Sequence, residues 1–102
     1  MPVYIVASIA VRDWEEYGKY QGGFLDVFQR YRGEVLAVSD APQVIEGEWP
    51  FTRAVLIRFP DEAEARRWYE SPEYQAIAAH RRRASDGVVI AFEGLPTPIG
   101  PD

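Results

Sequence analysis

The chain has 102 residues, the usual size of one domain, and its 47% hydrophobic and 26% charged residues are typical of a globular protein. A net charge of −5 argues against a protein that binds nucleic acid or an anionic membrane, because such proteins need a basic face. The absence of cysteine excludes disulfides and cysteine-ligated metals, and no apolar run approaches the ~20 residues of a membrane span. No basic segment precedes an apolar stretch at the start, so we expect no signal peptide and a cytoplasmic protein.

The first part of the chain predicts a strand followed by a helix. Residues 3–11 are β-branched and apolar, which is typical of a strand. Asp13 is placed to cap the next helix, in which aromatic residues recur at helical spacing and form one apolar face. Gly22 and Gly23 should kink or divide this helix, and Gly33 should follow its last turn as the terminating glycine.

Two further strands are predicted in the middle of the chain. Residues 35–38 form the second strand, which bends at a proline and continues over residues 44–48. Residues 53–59 alternate between two sets of side chains, the pattern of a strand with two distinct faces.

The second helical region has two separate starts. Asp61 can cap a first helix, and Glu64 is three residues later, where its carboxylate can reach back to the cap. Ser71 followed by Pro72 is the signature of a second start, with Pro72 at the first helical position. We expect this second helix to end near Ala84.

A turn at Asp86 and Gly87 should introduce the last strand, over residues 88–93. The resulting order β-α-β-β-α-β matches the ferredoxin-like motif. We therefore predict an α+β two-layer sandwich in which helices cover a four-stranded antiparallel sheet. Residues 1–94 form the single domain, and residues 95–102 form a proline-rich tail.

The faces of the strands predict a homodimer. We expect the larger apolar set of the last strand, Val88, Ile90 and Phe92, to face the helices. The other face of the sheet has no cover within the chain and is too apolar to be left open to water, so a second copy is its natural cover. The apolar residues expected at the centre of this open face are Val6, Leu56 and Val89.

One set of residues, distributed along the chain, has the arrangement of a known family. It comprises Val44 to Trp49, Arg53, Phe59-Pro60, Trp68 to Gln75 and Arg81. From Val3 to Gly94 the sequence resembles the bacterial domain-of-unknown-function family 1330, and the Trp-Tyr-x-Ser-Pro-Glu-Tyr run is the most specific part.

The resemblance implies a ferredoxin-like domain of the dimeric α/β-barrel superfamily. Relatives in that superfamily include cofactor-free monooxygenases, haem-degrading enzymes, lactone isomerases and stress-linked proteins, so the resemblance implies a fold and a dimer without an activity. The family often has a His-Gly-Gly run after its first helix. Here the corresponding residues are Tyr31, Arg32 and Gly33, so any chemistry of that histidine is done differently or not at all.

His80 is the candidate catalytic residue. It is the only histidine, and therefore the only side chain that titrates near neutral pH without perturbation. It could act as a general base that lines a pocket. The alternative, which we favour, is a half-buried histidine that contacts the carbonyl end of its helix. One histidine and no cysteine cannot build a common zinc site. A mixed histidine–carboxylate site stays open as an alternative, but nothing in the spacing indicates one. We predict no metal and no cofactor.

Candidate ligand-binding residues are polar and aromatic. Glu46 and Arg53 could hold a polar group of a ligand, although an ordinary ion pair between strands is the simpler interpretation. Aromatic residues could wall a pocket for a flat apolar ligand, or they could simply form the core. The aromatic candidates are Tyr17, Tyr20, Trp68, Tyr69 and Tyr74.

Two hypotheses for function remain open from the sequence. The first is a small-molecule-binding protein, with His80 as base if it is a cofactor-independent monooxygenase- or isomerase-like enzyme. The second is a non-catalytic dimeric binding or stress-response protein whose aromatic residues are core. A ligand found near His80, or turnover, would distinguish them.

Overall fold

The computed structural model describes residues 1–101 and confirms the ferredoxin-like α+β fold. The sheet has the strand order β2-β3-β1-β4, and every neighbouring pair is antiparallel. The elements, in chain order, are β1 (Val3–Val11), α1 (Trp14–Phe28), β2 (Glu34–Ser39), β3 (Arg53–Phe59), α2 (Glu62–Tyr69), α3 (Pro72–Ala84) and β4 (Ser85–Glu93). None of the helices within residues 1–101 is long and apolar enough to cross a membrane.

The three helices begin where their capping residues predict. The Asp13 carboxylate accepts hydrogen bonds from the first backbone N–H groups of α1. Asp61 accepts one from the Glu64 N–H at 2.8 Å, and Ser71 caps α3 in the same way. These bonds satisfy N–H groups that have no partner inside a helix. The Glu64 carboxylate does not reach back to its cap as expected; it accepts from Arg67 instead.

The glycines of α1 act differently from the sequence prediction. The helix runs without a break through Gly22 and Gly23, and a Cβ on Gly23 would lie only 2.9 Å from the Ile77 side chain on α3. Gly23 therefore permits close helix packing and not a kink. Gly33 has no positive φ, and a Cβ there would lie 2.6 Å from the Phe28 ring. Gly33 does not terminate the helix, because the helix already ends at Phe28. A glycine is required here because a side chain would collide with the core.

Two strand boundaries also differ from the prediction. Residues 44–48 are not a strand; they belong to a loop between β2 and β3 that returns to the sheet where the Trp49 indole lies 3.4 Å from the Ser8 hydroxyl. β4 begins at Ser85, so Asp86 and Gly87 are inside the strand. Gly87 pairs with Ile9 of β1, where a Cβ would approach a backbone oxygen at 3.0 Å. A close approach between strands, and not a turn, explains this glycine.

The core lies between the sheet and the helices. Alternate residues of β1 are buried, as the period-two pattern predicts for a sheet with helices on one face. Trp68 and Phe59 are the largest fully buried side chains, with ring centroids 5.3 Å apart. Aromatic rings thus supply much of the buried area that a small domain needs.

The predicted faces of β4 were assigned the wrong way round. Val89 lies opposite Ala7, whose side chain faces the helices, and Ile90 lies opposite Val6 on the other face. The open face therefore carries Val88, Ile90 and Phe92, each about half exposed (53%, 50% and 52%). The size of the side chains did not determine which face of β4 packs against the helices. Both faces of β4 are apolar, and only the register with β1 distinguishes them. The open face is consequently larger and more apolar than expected.

Candidate functional site

A cavity of about 460 Å³ lies between α1, α3 and the helix-facing side of the sheet. It falls within the size range of small-molecule sites. Its rim is apolar and exposed at Leu25 of α1 and Val38 of β2, which are 69% and 53% exposed. β2 is an edge strand that no helix covers, so the cavity opens on that side. The residues deeper in the wall are Ile5, Ala7, Ile9, Tyr17, Tyr20, Phe24, Val55, Ile57, Trp68, Tyr74, Arg81 and Val89.

Two buried phenols meet at this cavity. The hydroxyl oxygens of Tyr20 and Tyr74 lie 2.9 Å apart and share one hydrogen bond. Burial raises the pKa of Tyr20 well above its usual range, and it raises the pKa of Tyr74 against the opposing effects of Tyr20 and Arg81. Both groups are therefore protonated at neutral pH. Since one bond uses one hydrogen, one phenol hydrogen is left to donate elsewhere.

Arg81 brings a buried positive charge to the same wall. It is only 7% exposed, and no carboxylate of residues 1–101 lies within ion-pair distance of it. Its guanidinium lies 5.6 Å from the centre of the Tyr20 ring. Burial acts to lower the pKa of Arg81, but the neighbouring phenols raise it and the net shift is upward. Arg81 is therefore charged at neutral pH.

Trp68 also lines the cavity, but its indole N–H does not face it. The Nε1 atom is buried out of reach of water and has no hydrogen-bond partner among residues 1–101. A ligand in the cavity therefore cannot accept a hydrogen bond from it, and Trp68 contributes apolar ring surface.

Arg53 has a carboxylate partner, in contrast to Arg81. Its guanidinium makes two bonds to the Asp40 carboxylate, of which the Nη2–Oδ2 distance is 2.9 Å, and it donates to Gln21 Oε1 at 2.8 Å. It also lies over the rings of Trp14 and Tyr17. The hydrogen bond from Arg53 holds the pKa of Asp40 below its usual value. Arg53 therefore ties β2, β3 and α1 together at the end of the cavity, and its charge is already neutralised.

A second cavity, of about 550 Å³, lies between α2 and the edge strand β4. Its charged residue Arg66 is paired with Glu62 and Glu70 along α2. Tyr69 lines this second cavity and not the first. In the part of the chain that the structure describes, no cluster of three or more histidine, aspartate or glutamate side chains could hold a metal ion.

Comparison with known proteins gives the family. Residues 2–95 match the family described as Domain of unknown function (DUF1330). The chain belongs to the DUF1330 family. No curated protein sequence matches the chain significantly.

Solved structures similar to this DUF1330 member share its fold. RPA0582 from Rhodopseudomonas palustris, described as a protein of unknown function, has a TM-score of 0.77 at 19% identity, over 94% of this chain and 84% of that one. SnoaB from Streptomyces nogalater, a cofactor-independent oxygenase, has a TM-score of 0.68 at 16% identity, over 94% and 95%. A dimeric ferredoxin-like protein of unknown function from Jannaschia has a TM-score of 0.73 at 10% identity, over 92% and 100%. At these identities the likeness concerns the fold alone.

The structure brings five of the eight predicted site residues together. Tyr17, Tyr20, Arg53, Trp68 and Tyr74 all line the first cavity, whereas Tyr69 lines the second. Glu46 lies in the exposed loop after β2, and Arg53 pairs with Asp40 instead of with it.

His80 lies outside both cavities, on the outer side of the contact between α1 and α3. Its Nδ1 is 2.6 Å from Glu16 Oε2, and Arg83 binds the same carboxylate oxygen at 3.0 Å. The hydrogen bond with His80 is the largest of the effects that lower the pKa of Glu16 to about 2. His80 therefore lines neither of these two cavities, and its neighbours are the Glu16 carboxylate and the Arg83 guanidinium.

Tyr31, Arg32 and Gly33 stand here where the resemblance led us to expect the family's His-Gly-Gly run. In this segment the Tyr31 ring lies 4.6 Å from the Arg67 guanidinium. Arg81 was not among the predicted site residues, because it begins an Arg-Arg-Arg run in the last turn of α3, where positive charge suits the helix dipole whatever its function. A signal was present: Arg81 follows Tyr74 and Ala78 at helical spacing, and both are buried.

Proposed function

We propose that this protein binds a planar, largely apolar small molecule in the cavity between α1, α3 and the sheet. The single observation that carries the proposal is the combination of apolar walls with two polar features: the Tyr20–Tyr74 hydroxyl pair and the buried Arg81, which has no carboxylate partner among the described residues. A small number of polar groups in an apolar cavity is the usual composition of a ligand site. Aromatic core packing alone would not account for a buried guanidinium without a counter-charge.

The composition of the cavity wall favours binding over acid–base catalysis. Within the described residues, the wall contains no aspartate, glutamate or histidine, and its phenols are held protonated. A general base must be unprotonated at the working pH and within reach of the substrate. If an oxygenase-type reaction like that of SnoaB occurs here, the protein would contribute hydrogen bonds to a developing negative charge and the ligand would supply the reactivity.

We further propose that the functional unit is a homodimer. The open face of the sheet carries Val6 and Leu56, which are partly buried, and Ile90 and Phe92, which are about half exposed; no helix of the described chain covers this face. Similar structures from Jannaschia and Thermobifida fusca are described as dimeric ferredoxin-like proteins. A two-fold contact between two such faces would bury the apolar residues that a monomer leaves in water.

The binding proposal is tested with N-phenyl-1-naphthylamine, a neutral probe whose fluorescence rises in apolar surroundings. We expect saturable binding of one probe per chain. Val55→Trp should abolish it, because Val55 lines the first cavity and the larger ring would fill the space. Ala91→Trp is the matched control, since it adds the same ring to the second cavity. Loss of binding in Ala91→Trp alone, or no binding by the unmutated protein, would contradict the proposal.

A further inference from the structure

We infer that the ligand is a monoanionic organic acid whose acidic group lies against Arg81, with its planar body along the apolar wall. This inference rests on the proposed function and specifies its ligand class. It follows from three observations. The charge of Arg81 has no counter-charge, the polar groups of the cavity wall are mostly hydrogen-bond donors, and Arg53, the other arginine of the wall, is already paired with Asp40.

The charge of the cavity is uncompensated. Arg81 is the only arginine of the described chain that is fully buried, and it is the one that needs a counter-charge most. An arginine cannot escape burial by losing its proton, and a buried charge is destabilising unless it is paired. The exposed or half-buried arginines Arg12, Arg53 and Arg58 each have a carboxylate partner. An anionic ligand would supply the partner that the chain does not give to Arg81.

The hydrogen-bonding groups at this wall are mostly donors. Arg81 can only donate, and the Tyr20–Tyr74 pair has one hydrogen left over. A ligand group that itself donates would compete for the few acceptors, which are the two phenol oxygens. A carboxylate, enolate or sulfonate has only acceptors, and the guanidinium fork can bind it with two parallel bonds.

The rest of the cavity limits the ligand to one charge. Arg53, the other arginine in the wall, is neutralised by two bonds to Asp40, and a third N–H donates to Gln21. The remaining surface is formed by aliphatic and aromatic side chains. A second anionic group would be placed against this apolar surface and would lose its hydration without a partner.

The test compares 2-naphthoate with 2-naphthamide, which have the same size and shape and differ in charge. Calorimetric titration of the full chain should show the acid binding about tenfold more tightly than the amide, as expected for hydrogen bonds to a charged group. In Arg81→Gln the preference should disappear through weaker binding of the acid, with little change for the amide. Arg82→Gln, an exposed neighbour on the same helix, removes the same charge and should retain the preference.

The outcomes separate this inference from the proposed function. If neither compound binds, the cavity is not a ligand site and the proposed function fails. If the amide binds as well as the acid, or if the preference survives in Arg81→Gln, the anion inference is overturned and the binding site stands.

A second measurement avoids any variant that fails to fold. In the complex with unmutated protein, the ¹³C shift of carboxyl-labelled 2-naphthoate reports the pKa of the bound acid. A bound pKa below that of the free acid is expected beside a guanidinium. A raised pKa would mean burial without a cationic partner and would overturn the inference.

Discussion

The hydroxyl groups of Tyr20 and Tyr74, 2.9 Å apart, join the middle of α1 to the first turn of α3 across the cavity wall. In the proposed function the same two hydroxyl groups also contact the ligand. It links two helices whose packing defines the shape of the cavity.

Replacing either phenol by phenylalanine should destabilise the fold. Tyr20→Phe leaves the Tyr74 hydroxyl buried without its partner, at a cost of about 1–2 kcal/mol, and Tyr74→Phe should do the same. The double variant should cost less than the sum of the two, because no orphaned hydroxyl remains. Urea unfolding of all three variants measures this coupling. Strict additivity would show that the hydroxyls do not interact in solution.

The neighbouring glycines of α1 predict opposite effects for the same substitution. Gly22→Ala places a methyl group in open space on a helix, so it should stabilise the protein by about 1 kcal/mol. Gly23→Ala directs its methyl group against Ile77, at 2.9 Å in the unrelaxed geometry, so the helical gain should be cancelled or reversed. Thermal unfolding of both variants and of the unmutated protein measures the two changes in stability. Equal stabilisation by both would mean that α1 and α3 pack less closely than the structure shows.

The cap of α2 provides a third prediction. Asp61→Ala removes the acceptor for the Glu64 N–H and should reduce the free energy of unfolding by about 1 kcal/mol. Asp26→Ala is a suitable control, because Asp26 is exposed on α1 and is not part of a cap. The control should be neutral or slightly stabilising. An equal loss in both variants would show that the charge, and not the cap, is responsible.

These cases show what the sequence could predict about the fold. Periodicity and capping residues gave the elements and their order, because those signals depend on neighbours along the chain. The roles of the glycines were predicted wrongly because Gly23 and Gly33 are required by close contacts with Ile77 and Phe59, which are distant in sequence. The orientation of β4 was misread for the same reason, since it depends on pairing with β1.

The candidate site was predictable only in part. The aromatic residues could be named from composition and spacing, but no pattern shows that the Asp40 carboxylate neutralises Arg53 and leaves Arg81 without a partner. The cavity itself depends on α1 leaving the edge strand β2 uncovered. How far a helix covers a sheet depends on the packing of the two layers, which local sequence patterns do not specify.

The Glu16 cluster should appear in the acid stability of the protein. Binding to His80 and Arg83 lowers the pKa of Glu16 from 4.5 to about 2 in the folded state. The lowered value means that the ionised cluster stabilises the fold above pH 4.5, and that this contribution is lost as the pH falls from 4.5 towards 2. Urea midpoints measured from pH 7 to pH 2 should therefore fall in that interval, and less steeply in Glu16→Gln.

The neighbouring carboxylate gives the control for this experiment. Glu15 is exposed and does not contact His80 or Arg83, so Glu15→Gln should keep the slope of the unmutated protein. An unchanged slope in Glu16→Gln would show that the cluster seen at the end of α3 contributes nothing to stability in solution.

The open face of the sheet gives the last prediction, which concerns assembly. Ile90 lies beside Val6 on this face, on the edge strand β4, and it is half exposed, so a second copy placed over the face would bury it. About 800 Å² per subunit is enough for a stable homodimer. Light scattering at micromolar concentration should give twice the chain mass of 11.6 kDa. Ile90→Asp should shift the protein towards the monomer, because each subunit would bring a carboxylate without a partner into the contact. Ala76→Asp adds the same charge on the exposed side of α3 and should remain dimeric. A monomeric unmutated protein at every concentration would refute the dimer and leave the apolar open face to be covered in some other way.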